Sequence, residues 1–220
     1  MKKEDNLKDQ FKQALISTIK VISEEYNAKL NFKKNLSSKN YNFFELDNLN
    51  NKQDYIKIRA QTDSEALKRK FSNKEIYQKN LPKNQVCRSL YDIAEKTRYE
   101  ILGSKMLKGI SRNLKENYNH FLSIKRKDQL KTRDDVSVSE AFELYMLKNF
   151  FDVKLNPLSE KILSFWENDF KSNLDRHLEF LSNNLENQEI YNSKFSKILQ
   201  EMKIFESDND DEDQNKKKRK

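Results

Sequence analysis

Glycine and proline are nearly missing from this chain, at two residues each in 220. So few turn-formers leave little room for tight hairpins and argue for helices joined by short polar connections. Cys87 is the single cysteine, so no disulfide can form within the chain, which suits a reducing cytosol. Its place on an apolar helical face reads as a small buried hydrophobe, since a free cysteine is usually buried and inert rather than nucleophilic. No apolar run approaches the ~20 residues of a membrane span, and the opening MKKEDNLKDQ has no apolar segment of the signal-peptide kind. A cytoplasmic location without a membrane partner is therefore the expectation.

Other scarcities exclude chemistries. A phosphate-cradling loop needs glycines at fixed offsets; Gly103 and Gly109 are the only two, and neither precedes Gly-Lys-Ser/Thr. The two histidines, His120 and His177, lie far apart, with no second imidazole at ligand spacing. Asp135-Val136-Ser137-Val138-Ser139 spells DxSxS, but it follows a charged loop and precedes a helix. Capping by Ser137, in the Ser-x-x-Glu pattern completed by Glu140, accounts for these hydroxyls without a metal.

Charge is abundant but balanced. The formal net charge is +8, yet the run Lys216–Lys220 supplies five of the 43 basic residues, which leaves 38 against 35 acidic ones. Both signs interleave along every helical stretch. That is a solvated surface rather than the one-sided basic face of a phosphate binder, and it argues against nucleic acid as a partner.

Hydrophobic spacing supplies the positive reading: a mainly α, multi-helix globular domain over residues 1–206 and a disordered charged tail over 207–220. Leu7, Phe11, Ala14, Leu15, Thr18, Ile19, Ile22 and Tyr26 share one helical face. From about 29 to 59 the period breaks, and alternating fragments at Leu30–Phe32, Tyr41–Phe44 and Tyr55–Ile58 fit a short β-hairpin or an irregular excursion equally. A helix resumes near Ala60 and runs through Leu67 and Phe71 to Ile76, ahead of Pro82. Cys87, Leu90, Ile93, Ala94, Thr97 and Ile101 then form one stripe. Met106, Leu107, Ile110, Leu114, Tyr118 and Phe121 form the next. Gly103 stands between them, where a left-handed residue would turn a sharp corner. Gly109 falls inside the second stripe, a position that costs roughly 1 kcal/mol relative to alanine and predicts a neighbouring backbone packed against it. Asn156-Pro157 marks a helix start, followed by Leu158, Ile162, Phe165, Trp166 and Phe170. Two last stripes run through Leu174, Leu178, Leu181 and Leu185, then Ile190, Phe195, Ile198, Leu199 and Met202.

The run YDIAEKTRYEILGSKMLKGISRNL is similar to the signature of the aerobic cobaltochelatase T subunit (CobT) family. Tyr91, Asp92, Glu95, Arg98, Glu100, Gly103, Met106, Gly109, Asn113 and Leu114 fall on its positions. Phe11, Lys12, Ala14, Leu15 and Thr18 resemble the family's opening helix. Leu174-Asp175, Leu178, Leu185 and Gln188 resemble its closing helices, so the likeness covers roughly residues 7–205. Around Phe71, Ser72, Asn73 and Tyr77 the chain departs from the family, many members of which carry histidines there. It also stops where the family's acidic linker leads to a C-terminal von Willebrand A domain.

The resemblance implies a non-catalytic assembly module. The family works in an ATP-dependent complex that inserts cobalt into hydrogenobyrinic acid a,c-diamide during aerobic cobalamin biosynthesis. It pairs with an AAA+ S subunit and, at the level of the complex, with a large N subunit. On that reading ATP, Mg2+ and Co2+ belong to the complex, and this chain binds no cofactor of its own. Glu95, Arg98, Glu100, Gly103, Met106, Gly109 and Asn113 are its expected partner-binding residues. For Glu95, Arg98 and Glu100, ion pairing on a helix surface is an equally good reading. Two other functions fit the sequence: an AAA+ partner in a remodelling complex unrelated to cobalamin, and a nucleic-acid-associated helical protein using its basic tail.

Overall fold

The structure is a computed structural model and describes residues 3–27, 52–123, 130 and 132–202. Every regular element among them is helical. The alternating fragments at Leu30–Phe32 and Tyr41–Phe44, and the tail beyond Met202, lie outside the described residues. Tyr55–Ile58 is not a strand: it belongs to the helix Lys52–Phe71. Its Ile58-Thr62-Ala66 row is buried at the four-residue spacing that a strand could not produce.

Two compact units make up the chain, Met1–Ser72 with Tyr99–Ile124, and Asn73–Arg98 with Lys125–Lys220. The first is built from α1 (Lys3–Ser23), α2 (Lys52–Phe71), the last part of α4 (Gln85–Met106) and α5 (Lys108–Ser123). Leu15, Ile19 and Ile22 of α1, Ile58 and Leu67 of α2, and Ile110, Leu114 and Tyr118 of α5 are buried. Phe11 stacks on Tyr55 with ring centroids 4.8 Å apart, an offset aromatic contact that ties α1 to the start of α2. Leu7 and Tyr26, expected on the same buried face, are at least half exposed.

Both expectations for the glycines are corrected. The helix does not turn at Gly103; α4 runs through it to Met106, and the break falls at Leu107. Neither glycine has a positive φ. Among the described residues, the left-handed residues that follow helices are Glu24, at φ 62° after α1, and Asp152, at φ 52° after the helix Val138–Phe150. Gly103 is buried because Leu67 occupies the space of a side chain: a Cβ built there would lie 2.2 Å from Leu67 Cδ2. Gly109 is the reverse case, exposed and with nothing within 4 Å of a built Cβ. Gly109→Ala is therefore expected to stabilise the chain by about 1 kcal/mol, the ordinary helix-propensity gain, checked as a rise in denaturant midpoint at unchanged m-value.

The second unit comprises α3 (Lys74–Lys79), α4 up to Arg98, α6 (Val138–Phe150), α7 (Pro157–Ser164), α8 (Glu167–Leu174), α9 (Leu178–Asn183) and α10 (Gln188–Glu201). Its core is aromatic. Phe142 meets Phe170 and Phe195 edge-on at 5.4 and 6.1 Å, and Tyr191 lies 5.5 Å from Phe195. Cys87 is buried against it, with Sγ 3.5 Å from the Leu199 carbonyl and its thiol pushed up by burial. Asn156 and Pro157 start α7 as their sequence implies, Asn156 Oδ1 accepting from the Ser159 N–H at 2.8 Å. The Ser137–Glu140 capping box does not form, since Ser137 makes no capping bond. The reciprocal arrangement falls one turn earlier: the Thr132 N–H and hydroxyl donate to Asp135 Oδ2 at 2.8 and 3.0 Å. A helical face alone does not locate the cap when two hydroxyl–carboxylate pairs stand this close together.

Candidate functional site

The residues singled out by sequence fall into two buried networks and one exposed edge. In the second unit, Arg98 is 1% and Glu95 4% exposed. Arg98 grips Glu95 with both sides of its fork, Nε to Oε2 and Nη2 to Oε1, each at 2.8 Å. Its remaining Nη1 donates to the Leu185 carbonyl at 2.9 Å. The Glu95 carboxylate also accepts from Gln188 Nε2 at 3.1 Å. Gln188 holds both backbone groups of Asn73 as well, Oε1 accepting its N–H at 2.7 Å and Nε2 donating to its carbonyl at 3.2 Å. Asn73 is the N-cap of α3, so one polar cluster fixes α4, the start of α10 and the start of α3. A charge pair this far from water is tolerated only when each donor and acceptor is satisfied.

Glu100, Gly103, Met106, Gly109 and Asn113 belong to the first unit. Glu100 is 1% exposed and accepts from the Ser64 hydroxyl at 2.6 Å and from the Tyr118 hydroxyl. Asn113, also buried, donates through Nδ2 to Asp63 Oδ2 at 2.6 Å. Burial holds the Asp63 carboxyl above its ordinary range, with the Asn113 bond and the nearby Arg59 charge pulling the other way. Surface ion pairing is thus the wrong reading of Glu95, Arg98 and Glu100. Their side chains are enclosed and face internal partners, as does Asn113. Met106 and Gly109 are exposed, and Leu107 between them is 46% exposed.

Beside this edge, α1, α2 and α5 enclose a cleft of about 330 Å³. Leu15 and Ile22 of α1, Arg59 and Asp63 of α2, and Gly109, Ile110 and Asn113 of α5 contribute to its lining. Asp63 was not singled out from the sequence. Its signal was a carboxylate on the buried row Ala60–Asp63–Leu67, where α2 otherwise presents apolar side chains. Gln188 was noted only as a matching position; nothing local tells a clamping glutamine from a solvated one.

His177 is held below its ordinary value by partial burial and by the neighbouring Lys194 and Arg176. Among the described residues, no group of three or more His, Cys, Asp or Glu side chains could hold a metal ion. No helix among them is long and apolar enough to cross a membrane. A family model described as "Cobalamin biosynthesis protein CobT" matches residues 5–220. No solved structure matches the chain.

Proposed function

Since the chain belongs to the CobT family, we propose that it is a non-catalytic assembly module of the ATP-dependent complex that inserts cobalt into hydrogenobyrinic acid a,c-diamide in aerobic cobalamin biosynthesis, and that it acts by binding an AAA+ partner. The single observation that carries this is the family match over nearly the full chain. The burial pattern supports a binding rather than a catalytic role for the signature. Glu95, Arg98 and Glu100 are spent on internal hydrogen bonds, while Met106, Leu107 and Gly109 are exposed, flanked by the exposed Lys105 and Lys108. Nucleotide chemistry is assigned to the partner because neither glycine stands in a phosphate-cradling loop.

The contact surface is placed at Met106, Leu107 and Gly109. Glu95, Arg98, Glu100, Gly103 and Asn113 hold the helices that present it. The test is capture of the AAA+ S subunit by the full chain. Met106→Glu with Leu107→Glu is expected to weaken capture at least tenfold, about 1.4 kcal/mol, without loss of helicity. Unchanged capture would remove the contact from this edge. ATP turnover by the purified chain would contradict the non-catalytic assignment. Arg98→Glu and Glu100→Lys are unsuitable probes, because both side chains are buried and their loss would be read as unfolding.

A further inference from the structure

One face of the first unit departs from the balance of charge over the chain body. Residues 101–115 hold four cations, Lys105, Lys108, Arg112 and Lys115, and no acidic residue. Lys108, Arg112 and Lys115 stand on α5 at the i, i+4, i+7 spacing, which gathers them within roughly 60° of arc along about 10 Å of the helix axis. Lys105 precedes them in the last turn of α4. All four are exposed, and none has an ion-pair or hydrogen-bond partner among the described residues. Glu116, the next acidic residue, is exposed as well and pairs with none of them. Several cations of the second unit, by contrast, are answered: Lys79 by Glu189, Arg133 by Asp169, and Lys148 and Lys171 by Glu167. Like charges four residues apart weaken a helix, so this row carries a cost in the free chain that an anionic neighbour removes.

The anion that suits this face is set by its spacing and its neighbours. Carboxylates at the same i, i+4, i+7 spacing on a second helix can meet all three α5 cations at once, because the two repeats are identical. Met106 and Leu107, between Lys105 and Lys108, are 41% and 46% exposed, an aliphatic pair that an apolar side chain of the same helix would cover. A nucleic acid would leave that pair uncovered. Its bases stack on aromatic rings rather than on aliphatic side chains, and a row about 10 Å long reaches only about two or three phosphates of a strand. The occupant these features favour is an acidic protein segment.

We propose that the Lys108, Arg112 and Lys115 face of α5, with Lys105 beside it, docks an acidic helix of a protein partner. Three carboxylates of that helix face the three α5 cations, and one of its aliphatic side chains lies on Met106 and Leu107. This rests on the partner-binding role proposed above, whose contact edge it extends, and gives the chemistry of the partner's side. The 15N-labelled full chain is titrated with an alanine-rich helical peptide carrying three glutamates at the i, i+4, i+7 spacing and one leucine a turn ahead of them. The same peptide with glutamine for glutamate and a duplex DNA of arbitrary sequence are titrated in parallel. The glutamate peptide is expected to shift the amide signals of residues 105–116 with a dissociation constant on the order of 0.1–1 mM. Each exposed pair contributes about twofold in affinity, so the glutamine peptide should bind about tenfold more weakly. The triple variant Lys108→Gln, Arg112→Gln, Lys115→Gln should lose the same factor. Lys74→Gln, Lys83→Gln, Lys161→Gln removes equal charge from exposed lysines of the second unit and should leave binding within about twofold. Equal binding of the two peptides, equal losses in the two triple variants, or shifts confined to other amides would overturn the proposal. DNA that bound more tightly than the glutamate peptide, and lost that binding with the α5 triple, would overturn the acidic helix as occupant. The probe is not the S subunit, so failure here leaves the capture experiment above to stand by itself, and failure of capture leaves this one.

Discussion

Arg98→Ala is expected to destabilise the chain by about 3–5 kcal/mol, the usual consequence of removing one member of a buried ion pair. The magnitude comes from what is left behind rather than from the lost contact. Glu95 stays 4% exposed without its counter-charge, Gln188 Nε2 still donating to it at 3.1 Å, and the Leu185 carbonyl loses the 2.9 Å bond from Nη1. A buried carboxylate without its counter-charge must either be desolvated unpaired or take up a proton, and both costs fall on the native state. Since total stability of a domain is commonly 5–15 kcal/mol, this one change removes a large share. Arg98→Met combined with Glu95→Gln is expected to be less destabilised than Arg98→Ala alone, because no net charge then remains in the interior. Urea unfolding of the parent, the single variant and the double variant measures the difference. A loss below 1 kcal/mol for Arg98→Ala would show that water reaches Glu95.

Gly103→Val is expected to cost about 1–3 kcal/mol, against the sign that helix propensity alone would give. A Cβ at this position would fall 2.2 and 2.3 Å from the two δ-methyls of Leu67 and 2.8 Å from its Cγ. Contacts under 3.0 Å force movement, and Leu67 is 0% exposed with no surface to move toward. Leu67→Ala in the Gly103→Val background tests this directly. If overpacking is the cause, the two changes together destabilise by less than the sum of their separate effects. Additive losses would place the strain elsewhere. The opposite sign expected for Gly109→Ala makes the pair informative, since one residue type with the same propensity term is opposed by packing at one site only.

The helical class was legible because amphipathic spacing is a local property. The row Leu15, Ile19, Ile22 and the aromatic positions Phe170 and Phe195 are buried, as their spacing implies. Asn156-Pro157 located the start of α7, since a cap and a fixed φ act within one turn. The signature around Glu95–Asn113 could be picked out by its residue types and spacing, though its charged members read there as surface or docking groups. They are interior, because interior polar residues survive only with partners, and those partners are Gln188, Leu185, Ser64, Tyr118 and Asp63, remote in the chain.

What the sequence determined alone is the class of element, the position of the cap at Asn156, the lack of a phosphate-cradling glycine loop in these 220 residues and the family to which the chain belongs. These depend on residue type and short-range spacing. Tertiary structure decided which glycine is packed and which is open, that the helix passes through Gly103 to break at Leu107, and that a carboxylate on α2 shares a cleft with α5. Each of those turns on what stands opposite a residue across the core. A stripe of apolar side chains shows that a face is covered and leaves open which side chain covers it, and Leu67 over Gly103 is where that choice fixed the path of the helix.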